Sequence, residues 1–237
     1  MSRTKLAFSA ILLLFAIIFT FNHHLGYSVG DRLLSKMGLS PYTTAYMSGV
    51  HITLFIGLGL LGCSFYLTRK EIKSSYPRLA RQLWLIVMVI ILSYSYITDK
   101  VMYVAKWGST GIHGVSYLQN DSSCMYEVAL DGHTRVSCDL TLKNYSRQPV
   151  AAVLLPDLAR SYRQQDDPLY EALKSVELEP VHLEIKPHGT FVGKLAFSGS
   201  AQSPLQVKGK LKDIVLDVEV EGQNMVFDYA MPSKIQE

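Results

Sequence analysis

The chain has 237 residues, of which 49% are hydrophobic and 18% charged, a balance more apolar and less charged than an ordinary water-soluble domain. The charge is divided along it: residues 107–237 carry 12 Lys and Arg against 17 Asp and Glu, whereas residues 1–106 carry 11 against 3. A net-acidic C-terminal part argues against nucleic acid as a partner, because phosphate binding needs a basic footprint.

Residues 6–21, 46–67 and 83–98 contain no Asp, Glu, Lys or Arg. About 20 apolar residues cross about 30 Å of hydrocarbon, so a membrane part over residues 1–106 with three helical spans is expected, at about 6–21, 46–67 and 83–103. Arg3 and Lys5 before the first run fit an uncleaved signal-anchor; a signal peptide cut near Ser28-Val29-Gly30 is the other reading. Val29, Leu33, Leu34 and Met37 at near-helical spacing predict a short amphipathic helix over 29–37, lying on the outer membrane surface.

Ser40-Pro41 and Tyr76-Pro77 read as starts for the second and third helices, since proline is favoured in the first helical turn. In the middle segment Gly49, Thr53 and Gly57 recur every four residues, the spacing at which small side chains let helices approach closely. The segment 68–82 holds Arg69, Lys70, Lys73, Arg78 and Arg81, and the positive-inside rule places it, with the amino terminus, in the cytoplasm. Everything after Trp107 then lies outside. Asp99 and Lys100 read as interface anchors, with Trp107 among the headgroups.

After a linker over 107–122, period-two alternation takes over. Val181, Leu183 and Ile185, then Leu216, Val218 and Val220, alternate with polar residues, and similar runs elsewhere give seven to eight short strands. The expected fold over 123–232 is an all-β extracytoplasmic domain, an antiparallel immunoglobulin-like β-sandwich with a short helical insertion.

Cys124 and Cys138 flank an Asp131-Gly132 turn. With Gly132 left-handed in a three-residue hairpin loop, Ala129 faces His133, Glu127 faces Arg135, and the cysteines fall opposite one another, within disulfide reach. Such a staple suits a non-reducing compartment. Cys63, in an apolar span, reads as a small hydrophobe.

The insertion, residues 157–174, contains the helix-start pair Asp167-Pro168, and Arg160, Tyr162, Arg163 and Tyr170 are residue types that anchor interfaces. The competing reading is an ordinary surface crossover packed on its own sheet. Asn120-Asp-Ser122 and Asn144-Tyr-Ser146 match the glycosylation acceptor pattern.

No catalytic or nucleotide-binding motif is recognisable, and no cofactor is predicted. The expected function is that of a non-catalytic, multi-pass membrane protein. It would display a disulfide-stapled sandwich for protein or ligand interaction, as an accessory subunit of a membrane complex, with lipid and another membrane or extracytoplasmic protein as partners. The alternative is a membrane enzyme or metal-handling protein using His23, His24, His51 and His113, all expected near one outer surface, where neutral imidazole nitrogens ligate metals such as Zn or Cu.

Overall fold

The computed structural model describes residues 3–43, 49–162, 167–202 and 206–228. The chain divides into two compact units, Met1–Val101 and Met102–Glu237.

The first unit is helical. Its elements are α1 (Arg3–Thr20), α2 (Val29–Lys36), α3 (Ile52–Lys73) and α4 (Pro77–Ala105), the last running on into the second unit. Among the described residues α3 and α4 are long and apolar enough to cross a membrane; the apolar stretch of α1, Thr4–Thr20, is shorter. Large apolar side chains stand exposed along α3 and α4, among them Phe55, Trp84, Val89 and Leu92.

The seam between α1 and α3 is made of small and hydroxylated residues: Ser9, Ala16 and Thr20 on α1, and Thr53, Gly57, Ser64 and Thr68 on α3, are all buried. A Cβ on Gly57 would lie 2.3 Å from the Thr20 hydroxyl oxygen, so only hydrogen fits there. Apart from Thr53, whose buried hydroxyl has no hydrogen-bond partner among the described residues, these hydroxyls donate to helix carbonyls. Thr20 donates to the Ala16 carbonyl at 2.6 Å and Thr68 donates across the seam to the Ser9 carbonyl at 2.9 Å. In an apolar surround these bonds remove the cost of a bare hydroxyl while keeping the helices close.

Two expectations for this unit are corrected. Helix α3 starts at Ile52 rather than near Ser40-Pro41, because the Ile52 N–H donates to the Pro41 carbonyl and Tyr42 bridges His51, closing a loop. Gly49 therefore lies outside the helix, with φ +79°, and drops out of the small-residue repeat; Thr53 and Gly57 remain on the seam. The start expected for the second span, 46–48, lies outside the described residues. The basic segment 68–82 is not an open loop: Arg69, Lys70 and Lys73 end α3, and Arg78 and Arg81 begin α4, separated by residues 74–76. Lys70 and Lys73 thus sit where a helix C-terminus favours positive charge.

Among the described residues the second unit has ten strands: β1 (Val115–Tyr117), β2 (Ser123–Val128), β3 (His133–Asn144), β4 (Val150–Asp157), β5 (Val176–Leu178), β6 (Val181–Ile185), β7 (Thr190–Ala201), β8 (Val207–Lys212), β9 (Val215–Val220) and β10 (Gln223–Phe227). They form two antiparallel sheets. One has the order β5-β7-β3-β2-β8, with β1 also on β3, and the other β10-β9-β4-β6. Alternate residues from both sheets, such as Tyr126, Val136, Leu140 and Leu142 with Leu154, Ile185, Leu216 and Val218, enter one apolar cluster.

β1 and β5 exceed the seven to eight strands expected, each being only three residues long. The segment expected as a linker is also largely structural. Ile112, Val115 and Tyr117 are buried, and the Gln119 amide donates to the Asp213 carbonyl at 2.9 Å.

Cys124 and Cys138 are disulfide-bonded and directly paired in register, with Tyr126 on Val136, Glu127 on Arg135 and Val128 on Thr134. The turn is closed by the Ala129 N–H donating to the His133 carbonyl at 2.9 Å, with Gly132 at φ +81°. A side chain at Gly132 would also meet the Ala201 carbonyl at 2.8 Å, where the end of β7 docks on the turn.

Removing both cysteines is expected to cost up to about 3 kcal/mol, less to the extent that the hairpin is already local, without loss of the β-sheet circular-dichroism signal. Helix packing has an internal control: Gly57→Leu is expected to lower the melting temperature of the detergent-solubilised chain markedly. Gly59→Leu, where a Cβ meets nothing within 4 Å, is expected to leave it near that of the unaltered chain.

Candidate functional site

The helical insertion follows β4 directly. The Asp157 side chain accepts the Arg160 N–H at 2.9 Å and caps α5 (Leu158–Ser161), and the Asp167 side chain accepts the Leu169 N–H at 2.9 Å and caps α6 (Pro168–Lys174), with Pro168 in its first turn. Leu158, Ala159 and Leu173 are buried, and Tyr162, Leu169 and Tyr170 pack on the two-sheet core. The Ser161 hydroxyl accepts the Val215 N–H at 2.9 Å, tying α5 to β9.

Two polar groupings result. In the first, the Tyr162 hydroxyl donates to Asp167 at 2.6 Å. This bond raises the phenol to about 12, since ionising it would set two negative charges together, and it holds the Asp167 carboxyl below the usual carboxylate range. The phenol of Tyr126, on β2, is raised too, by burial and by Asp167. Its ring lies across Gly209, where a Cβ would meet the phenol oxygen at 2.4 Å.

In the second, Arg160 pairs with Asp157 at 3.3 Å, and Asp217 on β9 stands nearby. Burial and then the Asp157 charge raise the Asp217 carboxyl, against the pull of Arg160, and among the described residues its buried oxygen Oδ1 has no hydrogen-bond partner. Asp217 escaped the sequence reading because only the β4–β9 register, Leu155 opposite Asp217 and Asp157 opposite Val215, brings it beside Asp157.

Of the four residues expected as anchors, Arg160 is exposed, while Tyr162 and Tyr170 are half-buried against the core; Arg163 lies outside the described residues. The insertion is thus a packed crossover that presents Arg160 and the edges of two tyrosines. Asn144 is not placed to accept a glycan: it is fully buried, its amide donating to the carbonyls of Gln148, Ile185 and Lys186 and its oxygen accepting from Ser146. Asn120 is exposed.

The histidines fall into separate settings. His51 Nε2 lies 2.7 Å from the Asp31 carboxylate, and its ring stacks on Tyr42 at 4.5 Å. Asp31 is the third residue of α2 and completes a reciprocal cap with Ser28, so one buried carboxylate joins the α2 start to the residue preceding α3. His23 Nδ1 accepts the Leu25 N–H at 3.0 Å, and its ring meets Tyr27 edge-on at 4.0 Å beneath the Arg32 guanidinium. His24 bonds Thr98 at 3.2 Å. His113 sits in a short turn of helix in the second unit. Among the described residues no three His, Cys, Asp or Glu form a group that would hold a metal ion. Comparison with known proteins adds no assignment: no family model, curated protein or solved structure matches the chain.

Burial first, then His24 and Arg32, lower His23 from about 6.5 to about 3. The backbone donor on Nδ1 has the same sense, for it needs the neutral ring's lone pair. Between those values the unfolded chain binds a proton that the folded one does not, so His23 stabilises the fold fully above about pH 6.5 and progressively less as pH falls toward 3. Imidazole resonances are expected to show His23 neutral at pH 5, and His23→Asn to flatten the acid slope of the melting temperature. A His23 titration near 6.5 would contradict this account.

Proposed function

We propose that the chain is a multi-pass membrane protein whose α1, α3 and α4 cross the bilayer and which displays an immunoglobulin-like β-sandwich outside the cytoplasm as a binding module. The observation that carries the reading is the apolar surface exposed along α3 and α4, where Leu92 is 78% exposed. In water such a surface is costly, whereas lipid or the helices of a partner cover it. The basic residues clustered where α3 gives way to α4 support a cytoplasmic location for that turn and, in this reading, a second unit outside the cytoplasm. A disulfide in that unit agrees with a non-reducing compartment.

The strand order supports the sandwich. β5-β7-β3-β2-β8 form one sheet, with β1 also on β3, and β6-β4-β9-β10 the other, with the chain crossing between sheets at β3 to β4, at each step from β4 to β7, and again from β8 to β9. This is the cross-connected pattern of immunoglobulin-type domains. In this reading the partner is a membrane or extracytoplasmic protein, and Arg160 with the edges of Tyr162 and Tyr170 is the surface that meets it.

Alkaline carbonate is expected to leave the chain in the membrane pellet, and protease added to intact cells is expected to remove a C-terminal tag. A detergent pull-down is expected to recover a specific membrane or extracytoplasmic protein, less of it with Arg160→Glu. Release by carbonate, or a protected tag, would overturn the topology; a clean pull-down without a specific protein would overturn the binding role.

A further inference from the structure

Where α4 ends, the second unit gathers cations and aromatic rings. The Lys106 ammonium is held by the Val115 carbonyl at 2.7 Å and the Ser116 hydroxyl at 2.9 Å, and lies 5.8 Å from the centre of the Tyr145 ring. Lys143, at the end of β3, stands over Tyr103 at 5.0 Å and Tyr145 at 5.1 Å. The Arg147 guanidinium lies over Trp107 at 3.8 Å, and the His188 ring approaches both Trp107 and Tyr103. Tyr145 is fully buried and forms the floor, while Trp107, Arg147 and His188 are exposed. Three cations thus converge on one patch of a part of the chain whose net charge is negative.

We propose that this patch binds the phosphate of an anionic lipid headgroup in the outer leaflet. The inference rests on the reading above that α4 crosses the bilayer. Two features of the patch select a lipid over a free anion. The first is its composition: tryptophan and tyrosine rings settle at the headgroup level, and lysine and arginine there are drawn to anionic lipid. The second is position in the chain, since the patch begins where α4 still exposes Val104, an apolar residue suited to the acyl chains below a headgroup. Arg147 lies over Trp107, and a planar guanidinium matches two phosphate oxygens at once. Lys143 adds a point charge beside it.

The chain has two tryptophans, so Trp84→Phe leaves Trp107 as the fluorescent reporter. The full chain is placed in phosphatidylcholine nanodiscs containing equal fractions of brominated phosphatidylcholine or brominated phosphatidylglycerol. The anionic bromolipid is expected to quench Trp107 several-fold more strongly, Lys143→Ala with Arg147→Ala to abolish the difference, and Lys143→Arg with Arg147→Lys to restore much of it. Arg147→Gln, at an exposed position, is expected to weaken the preference by itself and serves if the double alanine variant does not fold. Equal quenching by the two lipids, or a preference unchanged in the alanine and glutamine variants, would overturn the site. Loss of the preference on adding soluble glycerol phosphate would overturn lipid as the occupant. Absence of quenching by either lipid would overturn the membrane reading together with the site.

Discussion

The pairing of β2 with β3 is the constraint on which the second unit depends. β3 is its longest-paired strand, joined to β2 on one side and to β7 on the other, with eleven residue pairs from His133–Ser200 to Lys143–Thr190. A slip of one residue would turn Val136, Leu140 and Leu142 outward and Arg135 and Asp139 inward, because the side-chain period is two. The Gly132 turn, the Cys124–Cys138 bond and the apolar alternation all specify the same register, and β7 and β8 inherit it by pairing with β3 and β2. The staple therefore acts less as one more contact than as a pin on the strand pair around which the sheet is assembled.

The helical unit is organised by a different rule. Between α1 and α3 the closest approach is set by what is missing, a side chain at Gly57, and by hydroxyls that return to helix carbonyls. Leu13, Ile17, Ile72, Leu83 and Val87 form a buried apolar cluster, while Phe8 and Ile11 on α1 and Phe55 and Leu58 on α3 stand exposed. Small residues on a helix seam with large apolar side chains exposed beside it are compatible with a lipid surround, which rewards close backbone packing.

Buried polar residues join elements within each unit. Asp31 links the cap of α2 to His51 ahead of α3, and Asn144 closes the loops between β3 and β4 and between β6 and β7. Each uses its full set of oxygens or N–H groups on nearby donors and acceptors, which is why a polar side chain is tolerated there. Asn144 also shows why a short acceptor pattern is a weak guide to modification: the side chain that the pattern offers to solvent is committed to three carbonyls.

Local chemistry determined much of this protein before tertiary structure entered. Apolar runs defined α3 and α4, Ser28 and Asp31 bounded α2, Asp167-Pro168 began α6, and an Asp-Gly turn with flanking cysteines specified the β2–β3 register, each within a few residues of chain. What lay between distant segments was decided only by packing. The start of α3 depended on the Pro41 carbonyl, the loss of Gly49 from the helix face on that same loop, and the burial of Ile112, Val115 and Tyr117 on strands that follow much later. The approach of Asp217 to Asp157 and the convergence of Lys106, Lys143 and Arg147 on Tyr103, Trp107 and Tyr145 likewise join residues separated by tens of positions or by a change of element. Turns, caps and periodicity act over four residues or fewer and are written in the sequence. Contacts across sheets arise from register and crossover, which no local run of residues encodes.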